Sequence, residues 1–123
     1  MKTTAEEIRK AEEALKTSGI VNEKGNYDSE FKGYISGFGA SLVQAGLLPT
    51  VIFYEADSED AKKRKNLIVA LKKMLGIDAG QLARFILERG KANDQPFINK
   101  VAQAMVALKL ALRMYNKIEK NNG

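Results

Sequence analysis

Between Lys32 and Glu55 the chain carries twenty-two consecutive residues without a formal charge, GYISGFGASLVQAGLLPTVIFY, although 28% of its 123 residues are charged. A run of about 20 apolar residues is long enough to span a bilayer. This run, however, contains four glycines and several polar residues. Gly46 suits the position just past the end of a helix, and Pro49 suits the first turn of the next helix. The run therefore predicts two core helices joined by a tight corner, rather than a membrane span.

Capping residues and apolar spacing predict helices along the remainder of the chain. Thr4 followed by Glu7 is a capping box, and apolar residues recur at the three- and four-residue spacing of a helix face. Glu59 and Asp60 fall in the first turn of a fourth helix, where the helix dipole favours acids. The predicted helices run from Thr4 to Gly19, from Asp28 or Ser29 to the Gly46 corner, over residues 49–56, from Ser58 to Gly76, over residues 82–90, and from Asp94 to about Lys120.

The run VIFY at residues 51–54 is ambiguous, because β-branched and aromatic residues also favour strands. A helix is preferred, since Pro49 starts one well and the chain has no second strand-like run to pair with it. This third helix is expected to be fully buried.

Small residues form a separate face on the second helix, at Gly33, Gly37 and Ala40 or Ser41. Glycine within a helix costs about 1 kcal/mol relative to alanine, so these positions call for a reason. A close crossing of two helices is one explanation, and close approach by a partner molecule is the other. On the last helix the inward face is predicted to hold Ile98, Val101, Met105, Leu108, Leu112 and Tyr115.

Only helical periodicity recurs, so the predicted fold class is all-α: a compact bundle of about six helices that forms one domain over residues 1–123. The chain has no cysteine, which suits a reducing compartment. Its first residues lack the apolar stretch of a secretory signal. We therefore expect a cytoplasmic protein without membrane contact, and we expect the tail at residues 121–123 to fray.

The absence of histidine and cysteine limits the chemistry available to this chain. It removes the usual general base, the commonest metal ligand and any thiolate metal site. Glu55, Asp57, Glu59 and Asp60 cluster in sequence as conceivable metal ligands, but a loop that enters a capped helix commonly carries acids. No catalytic constellation is recognised. We therefore expect a protein that is not an enzyme and needs neither a cofactor nor a metal.

Basic residues are the stronger functional signal, because the net charge of +5 and the pI of about 9.4 favour polyanionic partners. Lys62, Lys65 and Lys72 share one face of the predicted fourth helix and could contact phosphates. The alternative is an ordinary solvated helix surface. Arg84 and Arg89 form a weaker candidate on the fifth helix.

On the last helix, Lys109, Arg113, Lys117 and Lys120 lie along one line at helical spacing. Lys109 lies within the apolar segment VALKLAL, which is unusual for a charged residue. It is either a snorkelling side chain at the edge of the core or a contact with a subunit or a nucleic-acid backbone. The candidate nucleic-acid-binding residues are Lys62, Lys65, Lys72, Arg84, Lys109, Arg113 and Lys117.

Two segments of the chain look familiar. In FGASLVQAGLLPTVIFY the characteristic positions are Gln44, Gly46, Leu47, Phe53 and Tyr54. In VALKLALRMYNKIEK they are the embedded Lys109 and Arg113. In order, spacing and length, these segments resemble the small, fifth subunit of the type III-B (Cmr) CRISPR effector complex. That family is a small all-α bundle of this length, so the resemblance covers most of the chain.

The resemblance implies a non-catalytic subunit of an antiviral defence complex. Copies of it would stack beside a filament of larger backbone subunits and line the channel that holds the guide RNA and its target. RNA cleavage would belong to other subunits. The implied partners are guide RNA and target RNA through backbone contacts, other Cmr subunits, and further copies of the chain itself.

Two alternatives remain open. One is a purely structural assembly module that docks protein through the Gly33 and Gly37 face or the Lys109 line, without direct RNA contact. The other is a stand-alone DNA-binding regulator in which the corner between Gly46 and Pro49 serves as the turn of a helix-turn-helix. The helix after that corner is too apolar to lie in a groove of DNA, which disfavours the second alternative.

Overall fold

A computed structural model describes residues 2–58, 61–78 and 80–118. Within these ranges the chain forms six α-helices and two short strands, which confirms the predicted all-α fold class. Glu59, Asp60, Lys120 and the tail at 121–123 lie outside the described residues, so the predictions made for them stay predictions. The elements are α1 Ala5–Thr17, β1 Asn26–Asp28, α2 Glu30–Ala45, α3 Leu47–Glu55, α4 Ala61–Leu75, α5 Leu82–Glu88, α6 Gln95–Leu112 and β2 Asn116–Ile118.

The last helix, α6, lies at the centre of the bundle and packs against α1, α2 and α4. Asp94 caps its start by accepting a hydrogen bond from the Phe97 backbone N–H at 3.1 Å. Its inward face is fully or almost fully buried, as predicted from the apolar spacing, except that Ile98 is only half-buried. Tyr115, also predicted to belong to this face, lies beyond the end of α6 and is half-buried. The buried residues of α6 are Val101, Ala104, Met105, Ala107, Leu108, Ala111 and Leu112.

The corner between α2 and α3 is built on Gly46, as the sequence predicts. Its φ of +96° lies in the left-handed region, which glycine adopts without steric cost. The buried Thr50 hydroxyl donates to the Gly46 carbonyl at 2.8 Å, and the Ser41 hydroxyl lies 2.7 Å from the Thr50 oxygen. Because the Thr50 hydroxyl donates its only proton to the Gly46 carbonyl, Ser41 is the donor of the second hydrogen bond. Among the described helices, none is both long and apolar enough to cross a membrane.

Residues 51–54 are helical, which confirms the choice of helix over strand, but the prediction that α3 is fully buried is wrong. Val51 and Tyr54 face the core, whereas Ile52 is 48% exposed and Phe53 is 58% exposed. The physical reason is that α2, α4 and α5 pack against only one side of this short helix. Apolar composition alone does not reveal that the other side has no covering element within the described chain.

The small-residue face of α2 makes a close contact at one position. A Cβ added to Gly37 would lie 3.2 Å from the Tyr54 hydroxyl, which donates to the Tyr34 carbonyl at 2.6 Å. At Gly33 no atom of another element lies within 4 Å of such a Cβ, and Ala40 is exposed. The close-crossing explanation therefore holds at Gly37 and not along the whole face.

The prediction that the last helix runs to about Lys120 is wrong, because α6 ends at Leu112. The chain then turns, and β2 pairs in parallel with β1, with Asn26 opposite Asn116. The Ser29 N–H also donates to the Ile118 carbonyl at 3.1 Å. These hydrogen bonds join residues far apart in sequence, so they compete with helix extension in a way that local periodicity cannot reveal.

We predict that Thr50→Val destabilises the fold by about 1–3 kcal/mol, since the variant keeps the shape but removes the buried hydroxyl that donates to the Gly46 carbonyl and accepts from Ser41. The Gly46 carbonyl then keeps only the longer hydrogen bond from the backbone N–H of residue 50, at 3.3 Å. Urea unfolding measures the change. The matched control is Thr17→Val, which removes a similar bond to the Glu13 carbonyl at an exposed position and is expected to change stability by about 0.5 kcal/mol or less. Equal losses in the two variants would contradict a structural role for the corner.

Candidate nucleic-acid interface

The three candidate lysines of α4 differ in their contacts with other residues of the chain. Lys62 is exposed and forms no ion pair with an acid in the described ranges. Lys65 pairs with Asp57, and the Lys72 ammonium donates to the Gly80 carbonyl at 2.7 Å. Lys65 and Lys72 line one shallow cavity of about 240 Å³, so the structure brings these two together. Their contacts within the chain compete with any contact to phosphate.

Lys63, which lies between Lys62 and Lys65, forms ion pairs that join two parts of the fold. The Lys63 ammonium lies 2.9 Å from the Asp28 carboxylate and 3.1 Å from that of Glu30, which joins α4 to the start of α2. The hydrogen bond to Asp28, supported by the one to Glu30, raises the pKa of Lys63 above its ordinary value. The run KKRK at residues 62–65 is therefore not one uniform basic stripe.

Arg64 extends over the edge of α3. Its guanidinium carbon lies 4.8 Å from the centre of the Phe53 ring, and one terminal nitrogen donates to the Ser58 hydroxyl at 2.7 Å. A guanidinium stacked on an aromatic ring is held by a cation–π interaction. The position of this arginine was not anticipated, because its two partners lie six and eleven residues earlier in the chain.

Lys109 and Arg113 are both exposed, Lys109 on α6 and Arg113 at its C-cap. Lys109 lines the end of an apolar groove of about 320 Å³ between α2 and α6, with Val43 and Val106 among its walls. Its exposed position beside apolar residues agrees with the snorkelling explanation. The alternative explanation, a contact with a partner, stays a prediction.

Up to residue 118, where the described chain ends, the predicted basic line does not continue beyond Arg113. Lys117 lies in β2, opposite Tyr27, so it is exposed but does not share a helix face with Lys109. This corrects the helical spacing assumed from the sequence, and the cause is the early end of α6. Lys117 is presented beside β1 instead.

Arg84 is exposed on α5 and lines a cavity of about 250 Å³ with Ile52 and Leu87. The start of α5 is fixed by Glu55, whose two carboxylate oxygens accept the N–H groups of Leu82 and Ala83 at 2.7 and 2.8 Å. This double hydrogen bond ties α3 to α5. It also gives a structural role to Glu55, which is the first of the four acids considered as metal ligands in the sequence analysis.

The seven candidate residues therefore do not form one continuous strip. Lys65 and Lys72 meet at one cavity, Lys109 and Arg113 lie at the end of α6, and Lys117 and Arg84 occupy separate elements. In the part of the chain that the structure covers, no three acidic side chains come together as metal ligands. The sequence did not reveal the pairing of Lys63 with Asp28 and Glu30, because it joins residues more than thirty positions apart.

We predict that Lys63→Met destabilises the protein by about 1 kcal/mol, since it leaves Asp28 and Glu30 side by side without their shared cation. Lys62→Met is the matched control and is expected to leave stability unchanged within about 0.5 kcal/mol. Because the folded-state pKa of Lys63 is raised, its contribution is fully present below the unfolded pKa of about 10.4 and is lost as pH rises through the folded value.

The stability difference between wild type and Lys63→Met should therefore be the same at pH 6 and at pH 8, where urea unfolding is easily measured. A difference that disappears between these two values would contradict the raised pKa. Equal stabilities of the Lys62 and Lys63 variants would contradict the bridging role of Lys63.

Comparison with known proteins adds evidence of ancestry to this geometry. No curated protein and no solved structure matches the chain. A family model described as CRISPR-associated protein (Cas_Cmr5) matches residues 6–117. The match covers the six described helices apart from Ala5, the whole first segment of the resemblance, and the second segment as far as Lys117. The match confirms that resemblance. The chain belongs to the Cas_Cmr5 family, the small-subunit family of the type III-B CRISPR complex.

Proposed function

We propose that this protein is the non-catalytic small subunit of a Cmr effector complex, in which it contacts nucleic-acid backbone and neighbouring subunits during antiviral defence. The observation that carries the proposal is the family match over residues 6–117. The basic character of the chain, with a net charge of +5, supports a role next to RNA. The proposed place of action is the cytoplasm, and the proposal involves no membrane.

The proposed RNA contacts are electrostatic and independent of sequence. Lys62, Lys109 and Arg113 are the best candidates, because all three are exposed and none of them pairs with an acid in the described ranges. Lysine and arginine that neutralise phosphates release counterions, so binding weakens as salt rises. In this proposal, pairing between guide and target supplies the sequence specificity, as in other RNA-guided systems.

The proposed role requires no reactive side chain. The chain has no histidine and no cysteine. Among the described acids that line cavities, Glu7 is bonded to Thr4 in the capping box, Glu55 to the start of α5, and Asp57 to Lys65. We therefore assign RNA cleavage to other subunits of the complex. The chain would act by position, next to further copies of itself and to larger subunits.

A second candidate function is protein assembly without direct RNA contact. It is favoured by the contacts of Lys63, Lys65 and Lys72, which bond to groups of this same chain. If the remaining cations also face protein, the basic charge would serve subunit docking alone. The two functions differ in one measurable property, the dependence of RNA affinity on salt.

We predict that a Cmr complex assembled with the double variant Lys109→Gln and Arg113→Gln shows a weaker salt dependence of RNA binding. The slope of log affinity against log salt should fall by about 1.5 for each copy of the chain in the complex, since each copy loses two phosphate contacts. The matched control is Arg9→Gln with Lys24→Gln, two exposed cations outside the candidate site, which should leave the slope unchanged. Filter binding at several salt concentrations measures all three complexes.

Equal slopes for wild type, double variant and control would favour the assembly function without RNA contact at α6. A slope that falls equally in the control would show that only the overall charge matters. Circular dichroism of each variant verifies that the helices are retained.

A further inference from the structure

Every exposed side chain of α3 is apolar, whereas Glu55, at the margin of its outward face, is half-buried and bonded to α5. Pro49, Ile52, Phe53 and the adjoining Ala56 are all exposed. Leu87 of α5, which is 52% exposed, extends this face, because it lines the same cavity as Ile52 and Ala56. A helix at the surface of a protein normally carries polar residues on its outer side, and contiguous exposed apolar residues mark interaction sites. We call these five residues the α3 face.

An arginine lies on each side of the α3 face. Arg64 stacks on the Phe53 ring at 4.8 Å and is held by Ser58, and its buried Nε has no partner among the described residues. Arg84 lines the cavity that Ile52 and Leu87 share, and it is exposed. The apolar surface is thus bordered by two guanidinium groups.

Among the described residues, no ion pair joins Arg64 or Arg84 to an acid, and this includes Glu88, which follows Leu87 in the chain. Both carboxylate oxygens of Glu55 accept backbone N–H groups of α5, at 2.7 and 2.8 Å. Asp57 pairs with Lys65. The two guanidinium groups therefore remain available to carboxylates supplied by a partner.

We propose that the α3 face docks another protein subunit, one whose contact surface has apolar side chains flanked by aspartate or glutamate. The inference rests on the proposed function, since it names a docking surface within that complex. Aromatic residues and arginine are enriched in the buried cores of protein interfaces, and lysine is depleted there. Carboxylates would complement Arg64 and Arg84 through charge-assisted, bidentate hydrogen bonds.

The composition of the face favours protein over RNA as the occupant. Pro49, Ile52 and Leu87 offer no hydrogen bond to a base and no charge to a phosphate. Of the five residues, Phe53 alone could stack on a base, and Arg64 already lies against its ring. A second copy of this chain fits less well than a different subunit, because it carries the same net charge of +5.

The test titrates labelled chain into a Cmr complex assembled without it. Ile52→Ser removes an apolar side chain from the α3 face, and Arg84→Glu reverses a charge at its border, opposite the proposed carboxylates. Each should weaken binding about tenfold or more. Arg9→Glu on α1 is the matched charge-reversal control and should change affinity by less than about threefold. Ile52 is half exposed and Arg84 is exposed, so both variants should fold, which circular dichroism verifies.

The outcomes separate this inference from the proposed function. If wild type binds the complex and both α3-face variants bind equally well, the inference is overturned and the proposed function stands. If wild type does not bind at all, the proposed function fails and the inference fails with it.

A photoreactive phenylalanine analogue at Ala56 identifies the occupant directly. The expected product joins this position to a peptide of a different subunit that carries aspartate or glutamate beside aliphatic or aromatic residues. A cross-link to RNA, or to a second copy of this chain, would overturn the proposal.

Discussion

The burial of one side of α6 is the constraint on which the rest of the structure depends. Val101, Leu108 and Ala111 have no exposed surface, and α1, α2 and α4 all pack on this helix. Because apolar burial is the dominant favourable term in folding, this packing fixes how α6 is turned. Lys109 and Arg113 are consequently presented by a rigid element, which positions contact residues more accurately than a loop does.

The sequence predicted those parts of the fold that depend on neighbouring residues. The Thr4 capping box, the Gly46 corner and the Asp94 cap all lie where short-range signals placed them. The end of α6 and the exposure of α3 were mistaken, because both depend on elements distant in the chain. Residues 116–118 pair with strand β1 instead of extending α6. Helices α2, α4 and α5 pack on one side of α3 and leave its other side exposed.

The candidate site was only partly predictable for the same reason. Charge and spacing identified the basic positions, but they could not distinguish Lys62 from Lys63, which are adjacent in sequence. The difference arises from Asp28 and Glu30, which approach α4 only in the folded chain. Phe53 was recognised as part of a family segment, whereas its exposure and its contact with Arg64 required the tertiary structure.

The parallel pairing of β1 with β2 has a consequence for the order of folding. Asn26 and Asn116 enclose most of the chain between them, and the Tyr115 hydroxyl bonds to Glu12 across a similar separation. Closing so long a loop before the helices have packed is entropically unfavourable, so we expect these contacts to form late. The strand pair would then join the two ends of the described chain only after the helices have packed. Because it can open without unfolding the bundle, we expect its backbone amides to exchange with solvent sooner than those of α6.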